Sequence, residues 1–424
     1  MRIAGAEVGT SGVAAVLRRS PAAWSLVASE TQSRMTAPSV SAAPHPPPLF
    51  GQDREPWMLA QYAMHSRDTA GRRYPEAVHP YRGPFQRDRD RILHSSAFRR
   101  LSGKMQVFTG DMGEYHRTRL THTFEVASVA RTIARVLRLN EDLVEALALM
   151  HDIGHPPYGH CGEDTLAACL RDHGGFSHNQ FALVIVEELE HRFTGRPGLN
   201  LSAELLAGQD IRAHKEEAAV GASPMLEVQI VDAADSMAYD AHDVDDAVQM
   251  GLLGIDELSR LRIVRRALEQ VRSRYGALPP ARLRQALVHE LIDLQISDFL
   301  HASLERLVPC MAMRSEELSA AGVRLLHSPT IGEERRELER FLFERVYRHP
   351  RLLAVRHAAE SRLEQLFETL VADPQRLPLR FRLRGEQIGW ERATGEYLAG
   401  MTDRFCDAQY LHLRNGSGPL ADWS

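Results

Sequence analysis

Cysteine is scarce in this chain: four in 424 residues, at positions 161, 169, 310 and 406. None forms a CxxC or any paired spacing, which excludes a disulfide-stapled scaffold and a cysteine-ligated zinc module and fits a reducing cytoplasm. Long apolar runs are missing as well, and none approaches the roughly 20 residues needed to cross a bilayer. There is no P-loop, no GxGxxG and no internal repeat, so neither a glycine cradle for phosphate nor a solenoid is in play. Excess positive charge is also absent. The formal net charge of −5 argues against a dedicated nucleic-acid binder. Residues 1–50 lack helical periodicity and are dominated by Ala, Ser, Pro and Gly; no apolar stretch follows Arg18-Arg19, so they read as a disordered tail rather than a signal peptide, with Met35 as an alternative start.

What the chain does have is histidine, 20 in all, and the densest group lies in residues 151–163. His151-Asp152-Ile153-Gly154-His155 is followed by His160 and Glu163. Neutral imidazole and ionised carboxylate are ligands of catalytic divalent metals and the groups that move protons beside them. Matching groups occur elsewhere. Residues 124–139 carry Val126, Val129, Ala130, Ile133, Val136 and Leu137 at helical spacing, with His122 at the beginning. Asn140 can cap a second helix over 141–150, with acidic residues in its first turn and Gly154 just past its end. So short a break predicts antiparallel neighbours, which brings His122 near His151 and Asp152. Further on, Asp232, Asp235, Tyr239, His242, Asp243 and Asp246 share one face of a predicted helix that contains no Lys or Arg. A solvated charged face is one reading of it. A cation held among the acids is the better one.

The order His122, His151-Asp152, Asp235 resembles the H…HD…D pattern of the HD phosphohydrolase superfamily. Ser95-Ser96-Ala97-Phe98-Arg99-Arg100-Leu101, Lys104-Met105-Gln106-Val107-Phe108, Arg117-Thr118-Arg119-Leu120-Thr121-His122 and Gly174-Gly175-Phe176-Ser177-His178-Asn179 are similar to the deoxynucleoside triphosphate triphosphohydrolase (dGTPase) family. So are Ala238-Tyr239 with His242-Asp243, and the run from Tyr397 through Thr402-Asp403 to Phe405. The resemblance implies an all-α fold: an HD-domain helical bundle over residues 55–255, with additional C-terminal helices over 256–415 as a phosphohydrolase-associated region. It implies hydrolysis of a dNTP to deoxynucleoside and tripolyphosphate. His122, His151, Asp152 and Asp235 would be metal ligands, a mixed N/O set that suits Mn or Mg and also Fe, Co or Zn. His160 would be the general acid, paired with Glu163 one turn on. Arg119, His155 and His178 would contact phosphate, and Tyr239 and Asp243 the sugar 3′-hydroxyl. Relatives also imply a homo-oligomer, a second nucleotide as effector and weak single-stranded nucleic-acid binding.

Other readings stand beside these. His155 could instead cap the preceding helix, and His178 could be a surface-loop histidine after the Gly174-Gly175 turn. His242 reads as support for a ligand or as core, since four ligands are already named. Asp245 and Asp246 are expected to meet solvent or arginines from elsewhere. The basic run Arg82, Arg87, Arg89, Arg91, Arg99, Arg100 and Lys104 fits polyphosphate binding and internal salt bridges equally. Ser102 stands where many relatives have Gln, which leaves the preferred base open. Helices are expected over 263–275, 281–306, 331–347 and 352–371, with 334–340 as a solvated charged face, and 377–383 as a short strand or extended linker. Rival functions are another HD phosphohydrolase, acting on a nucleoside monophosphate, cyclic nucleotide or alarmone, and a non-catalytic nucleotide- or single-strand-binding module.

Overall fold

Helices make up nearly all the regular structure in the computed structural model, which describes residues 51–106, 117–214, 222–416 and 418–423. The expected tail at 1–50, and Val107-Phe108 of the motif that begins at Lys104, lie outside the described residues. Helices of seven residues or more are labelled in chain order. They are α1 Pro84–Leu93, α2 Arg119–Val136, α3 Glu141–Met150, α4 Gly159–Cys169, α5 His178–Val184, α6 Ala203–Ala213 and α7 Leu226–Gln249. The C-terminal part adds α8 Arg262–Tyr275, α9 Pro280–Leu307, α10 Pro329–Leu342, α11 Pro350–Ala372, α12 Leu379–Ile388, α13 Trp390–Ala399 and α14 Asp403–Asn415. Only isolated bridges, and no sheet, occur among the described residues. The fold is all-α, and none of these helices is long and apolar enough to cross a membrane.

Local chemistry sets the two helices that carry the HD dipeptide and its partner. Thr118 and Thr121 cap the start of α2 reciprocally, each side chain taking the other's backbone N–H, at 3.3 and 3.1 Å. Asn140 Oδ1 accepts the Leu143 N–H at 3.3 Å and starts α3 at the predicted residue. From Leu143 to Met150 all but Glu145 are buried, so α3 is the central rod. Helices α1, α2, α6 and α7 pack around it. The C-terminal half of α7 leaves this core and enters a second one, in which Ala241, Val244 and Ala247 meet Ile263, Leu268, Leu291 and Leu338 of α8–α10.

Two expectations need correction. Residues 377–383 are neither strand nor linker: α12 begins at Leu379. The alternation of Leu379, Phe381 and Leu383 with arginines imitates a strand, yet Leu379 and Leu383 are exposed. Phe381 and Gly385, four apart, face inward. The run 334–340 is not wholly solvated either. Glu334 is buried and paired with Arg266 at 2.7 Å, and Arg335 is buried against Asp240 at 2.8 Å. Most of the basic run is engaged internally, and only Arg99 is exposed, bonded to the His94 carbonyl and Ser96. Arg82, Arg87, Arg89 and Arg91 all pair with carboxylates, Arg100 lies over the Trp423 ring at 4.0 Å, and Lys104 is buried against two carbonyls.

Candidate active site

The antiparallel pairing of α2 and α3 brings His122 from the first turns of α2 to His151 and Asp152 at the end of α3. One donor atom from each of the three lies within 4.8 Å of the others, and all three residues are buried. Helix α7 brings Asp235 to the same point: its Oδ1 is 3.1 Å from His122 Nε2 and 3.6 Å from His151 Nε2. His151 Nε2 is 3.4 Å from Asp152 Oδ1. Donors bound to one first-row divalent ion at about 2.1 Å sit about 3.0–3.4 Å apart, so the spacing fits such an ion. Orientation fits too. The Nδ1–H of His151 donates to the Ala148 carbonyl at 2.6 Å, which leaves Nε2 as a lone pair. That buried nitrogen has no hydrogen-bond partner among the described residues.

Electrostatics prepare the same donors. Burial alone would raise the Asp152 carboxyl, but His151, Arg119 and His155 outweigh it and hold it well below the usual range. Asp235 behaves alike, held down against burial by His151, His122 and Arg212. Burial pushes His151 down, toward the neutral imidazole a metal needs. The counter-charges missing from the acidic helix arrive from elsewhere. Arg212 of α6 donates to Asp235 at 3.0 Å, Arg335 of α10 to Asp240, Arg117 to Asp245 and Asp246, and Arg284 to Asp245.

Arg119 sits one turn before His122 and bonds Asp152 Oδ2 through Nη1 at 2.9 Å. Its Nε and Nη2 are buried and have no partner among the described residues. His155 does not cap a helix. Its Nε2 lies 3.2 Å from Asp152 Oδ1, its ring stacks on His178 at 3.8 Å, and its Nδ1 has no partner among the described residues. His178 is no surface-loop residue either: it opens α5 and is mostly buried. Glu163 Oε1 accepts both its backbone N–H, at 2.9 Å, and its ring Nδ1–H, at 2.7 Å. The other Glu163 oxygen faces His160 Nδ1 at 3.5 Å, with the His160 side chain 54% exposed. The pair expected from spacing is thus a triad shared between two imidazoles. Burial would raise Glu163, yet these hydrogen bonds hold it far down as a carboxylate.

His160 also borders a cavity of about 340 Å³ together with Tyr158, Gly159, Tyr239, Asp243 and Tyr347, a size within the usual range for small-molecule sites. Tyr239 and Tyr347 stand nearly parallel, ring centroids 6.4 Å apart, with their hydroxyls in contact. The Tyr347 hydroxyl donates to Asp243 Oδ2 at 2.6 Å, and Asp243 Oδ1 has no partner among the described residues. Burial pushes the Asp243 carboxyl well up.

Residues with no motif of their own hold the HD turn in place. Tyr158 takes a left-handed conformation, φ 65°, before α4. Asp403 at the start of α14 accepts its N–H at 3.0 Å and that of Met105 at 3.0 Å, and the Tyr158 hydroxyl donates to Asp407 at 2.7 Å. A Cβ on Gly154 would lie 2.0 Å from the His178 carbonyl oxygen; only glycine lets α5 approach this closely. Sequence reasoning missed Arg212, Tyr347 and Asp403. Only Asp403 carried a signal, inside a motif whose purpose its letters do not state. Ser102 is exposed and turned to the Arg99 carbonyl.

A helical bundle closing two histidines and two aspartates from three helices around one point is the arrangement of the HD-domain hydrolases. A family profile described as HD domain matches residues 119–240, and one described as phosphohydrolase-associated domain matches residues 325–412. Among curated proteins, a deoxyguanosinetriphosphate triphosphohydrolase-like protein of Geobacter metallireducens is 40% identical over 86% of this chain and 97% of its own length. A protein of the same description from Thiobacillus denitrificans is 42% identical over 84% and 97%, and one from Brucella suis 39% over 85% and 97%. The chain belongs to the deoxyguanosinetriphosphate triphosphohydrolase-like family.

Proposed function

We propose that the protein hydrolyses deoxynucleoside triphosphates to deoxynucleoside and tripolyphosphate, with a divalent ion held by His122, His151, Asp152 and Asp235. The observation that carries this reading is the set of unsatisfied buried polar atoms. Native proteins satisfy most such groups, and several of those left over among the described residues lie at the site. Arg119 Nε and Nη2 are donors on the metal side; Asp243 Oδ1 is a carboxyl oxygen on the cavity side. A triphosphate needs the first set and a sugar hydroxyl the second. Family membership points the same way.

When bound, the ion supplies charge neutralisation at the α-phosphate and a lowered pKa for an attacking water; Mn or Mg suits the donors best, with Fe, Co and Zn compatible. Arg119, His155 and His178 orient the phosphates. Water's oxygen forms the new bond to the α-phosphorus and its proton is lost to solvent, the P–O5′ bond breaks, and His160 gives its proton to O5′ and is reprotonated from solvent. Glu163, held as a carboxylate, stabilises the imidazolium from which that proton comes. Asp243 and Tyr239 receive the 3′-hydroxyl, and the paired tyrosine rings leave little room for a 2′-hydroxyl. On the same footing we place the chain in a reducing cytoplasm, where its four free thiols persist. It would be a homo-oligomer open to a second nucleotide, with only weak single-stranded nucleic-acid binding at a net charge of −5.

Each dNTP and its ribonucleotide counterpart, incubated with Mn²⁺ or Mg²⁺ and separated by anion exchange, test the reading. Tripolyphosphate should form from dNTPs at least roughly 100-fold faster than from NTPs. Pyrophosphate or orthophosphate as first product would replace this reaction with another HD hydrolysis. No product under any condition would favour a binding module.

A further inference from the structure

Behind the metal donors lies a chain of three groups that the hydrolysis does not employ. His122 Nδ1 is 3.2 Å from His242 Nδ1, and the two rings meet edge to face with centroids 5.3 Å apart. On its far side His242 Nε2 contacts Glu125 Oε2. Glu125 lies three residues beyond His122 on α2, and His242 lies seven beyond Asp235 on α7, so each partner comes from a helix that also bears a proposed ligand. Both histidines are buried, whereas the Glu125 side chain is 49% exposed. Glu125 and His242 line a second cavity, of about 380 Å³, that shares no residue with the one beside Tyr239.

The proton positions follow from donor and acceptor rules. An ionised carboxylate only accepts, so His242 Nε2 carries a hydrogen. A neutral His242 then has a lone pair on Nδ1. Two facing Nδ1 atoms bond only if one of them donates, so His122 Nδ1 carries the hydrogen and His122 Nε2 keeps a lone pair. That nitrogen lies 3.1 Å from Asp235 Oδ1, a separation at which a lone pair and a carboxylate oxygen can face each other only with a cation between them, so this tautomer belongs to the metal-bound site. We infer that Glu125 and His242 are positioning residues that lock His122 in the tautomer able to ligate a metal through Nε2.

The inference rests on reading His122 as a metal ligand. His151 reaches the same tautomer through a backbone carbonyl, which no side-chain substitution removes. His122 depends on side chains, so its preparation can be abolished. Without the carboxylate, His242 can place its hydrogen on Nδ1 and donate to His122, whose own hydrogen then moves to Nε2 and blocks the lone pair.

Binding of Mn²⁺ alone to the full-length protein, followed by the electron paramagnetic resonance of free Mn²⁺, tests this without nucleotide or turnover. Glu125→Ala should weaken Mn²⁺ about 10–100-fold, with the melting temperature of the metal-free protein unchanged, because Glu125 is half exposed. Glu125→Gln keeps an oxygen that accepts from His242 and should recover most of the affinity. His242→Phe should lose as much as Glu125→Ala, and the double variant no more than His242→Phe, since the pair acts as one unit. Wild-type affinity in Glu125→Ala would overturn the inference, as would additive losses, or a lowered melting temperature with unchanged Mn²⁺ binding. Wild-type protein that binds Mn²⁺ but makes no tripolyphosphate would sink the proposed reaction and leave this inference standing. Wild-type protein that binds no Mn²⁺ would remove both.

Discussion

Glu163 serves two imidazoles, His160 and His178, and both stand apart from the proposed metal ligands. Its contacts run to His178 at 2.7 Å and His160 at 3.5 Å, with no contact to the His122, His151, Asp152 and Asp235 group. Two variants should therefore fail differently. Asp235→Ala removes a carboxylate that touches the His122 and His151 imidazoles and should abolish Mn²⁺ binding, read as free Mn²⁺ by paramagnetic resonance. His160→Ala should bind Mn²⁺ normally and lose about 10²–10⁴ in kcat, the usual worth of a general acid. Normal turnover in His160→Ala would place the proton donor elsewhere. At this scale the sequence was informative about groups close together in the chain. The i, i+3 relation predicted that His160 and Glu163 would meet. It could not show that His178, fifteen residues on, is the closer partner of Glu163, because that contact depends on how tightly α5 packs against Gly154.

Elements were legible where a cap and a buried stripe agree. Asn140 and the apolar run behind it define α3 to the residue. Residues 377–383 misled because arginines alternate with apolar residues there while the window is too short to reveal the i, i+4 pair Phe381 and Gly385. The acidic face of α7 misled in part, because its compensating arginines lie on α6 and α10, invisible to any local pattern. The same distance hides the clasp on the HD turn. Asp403, more than two hundred residues from Tyr158, holds that residue's left-handed backbone through one oxygen and Met105 through the other. Asp403→Ala strands two buried N–H groups and should cost about 2–4 kcal/mol, measured as a lowered urea midpoint. Gly154→Ala, which drives a methyl into the His178 carbonyl, should displace α5 and lower activity together with stability. An unchanged urea midpoint in Asp403→Ala would show that the clasp contributes nothing.

For the molecule as a whole, one buried histidine sets a pH response remote from the proposed chemistry. His327, just before α10, donates to Asp298 at 2.9 Å with Phe299 against its ring. Burial, aided by Arg335, pushes it from an ordinary 6.5 to about 4. Above pH 6.5 it is neutral in the folded and unfolded chain alike, and this stability is fully present. Between 6.5 and 4 the unfolded chain takes up a proton that the folded chain refuses, so stability falls with pH, and below 4 the loss is complete at about 3 kcal/mol. His327→Gln should flatten this decline, seen as a smaller drop in urea midpoint between pH 7.5 and 4.5. An equal drop in both proteins would assign the acid sensitivity to other groups.

The central claim concerns which bond breaks, and one spectrum addresses it. Hydrolysis of a dNTP with Mn²⁺ in H₂¹⁸O, quenched with chelator and followed by phosphorus NMR, reports product and bond together. The account predicts tripolyphosphate whose terminal phosphorus shows the isotope shift of one ¹⁸O, with an unlabelled deoxynucleoside. Labelled orthophosphate or pyrophosphate in its place, or the ¹⁸O in the nucleoside 5′-hydroxyl, would contradict it.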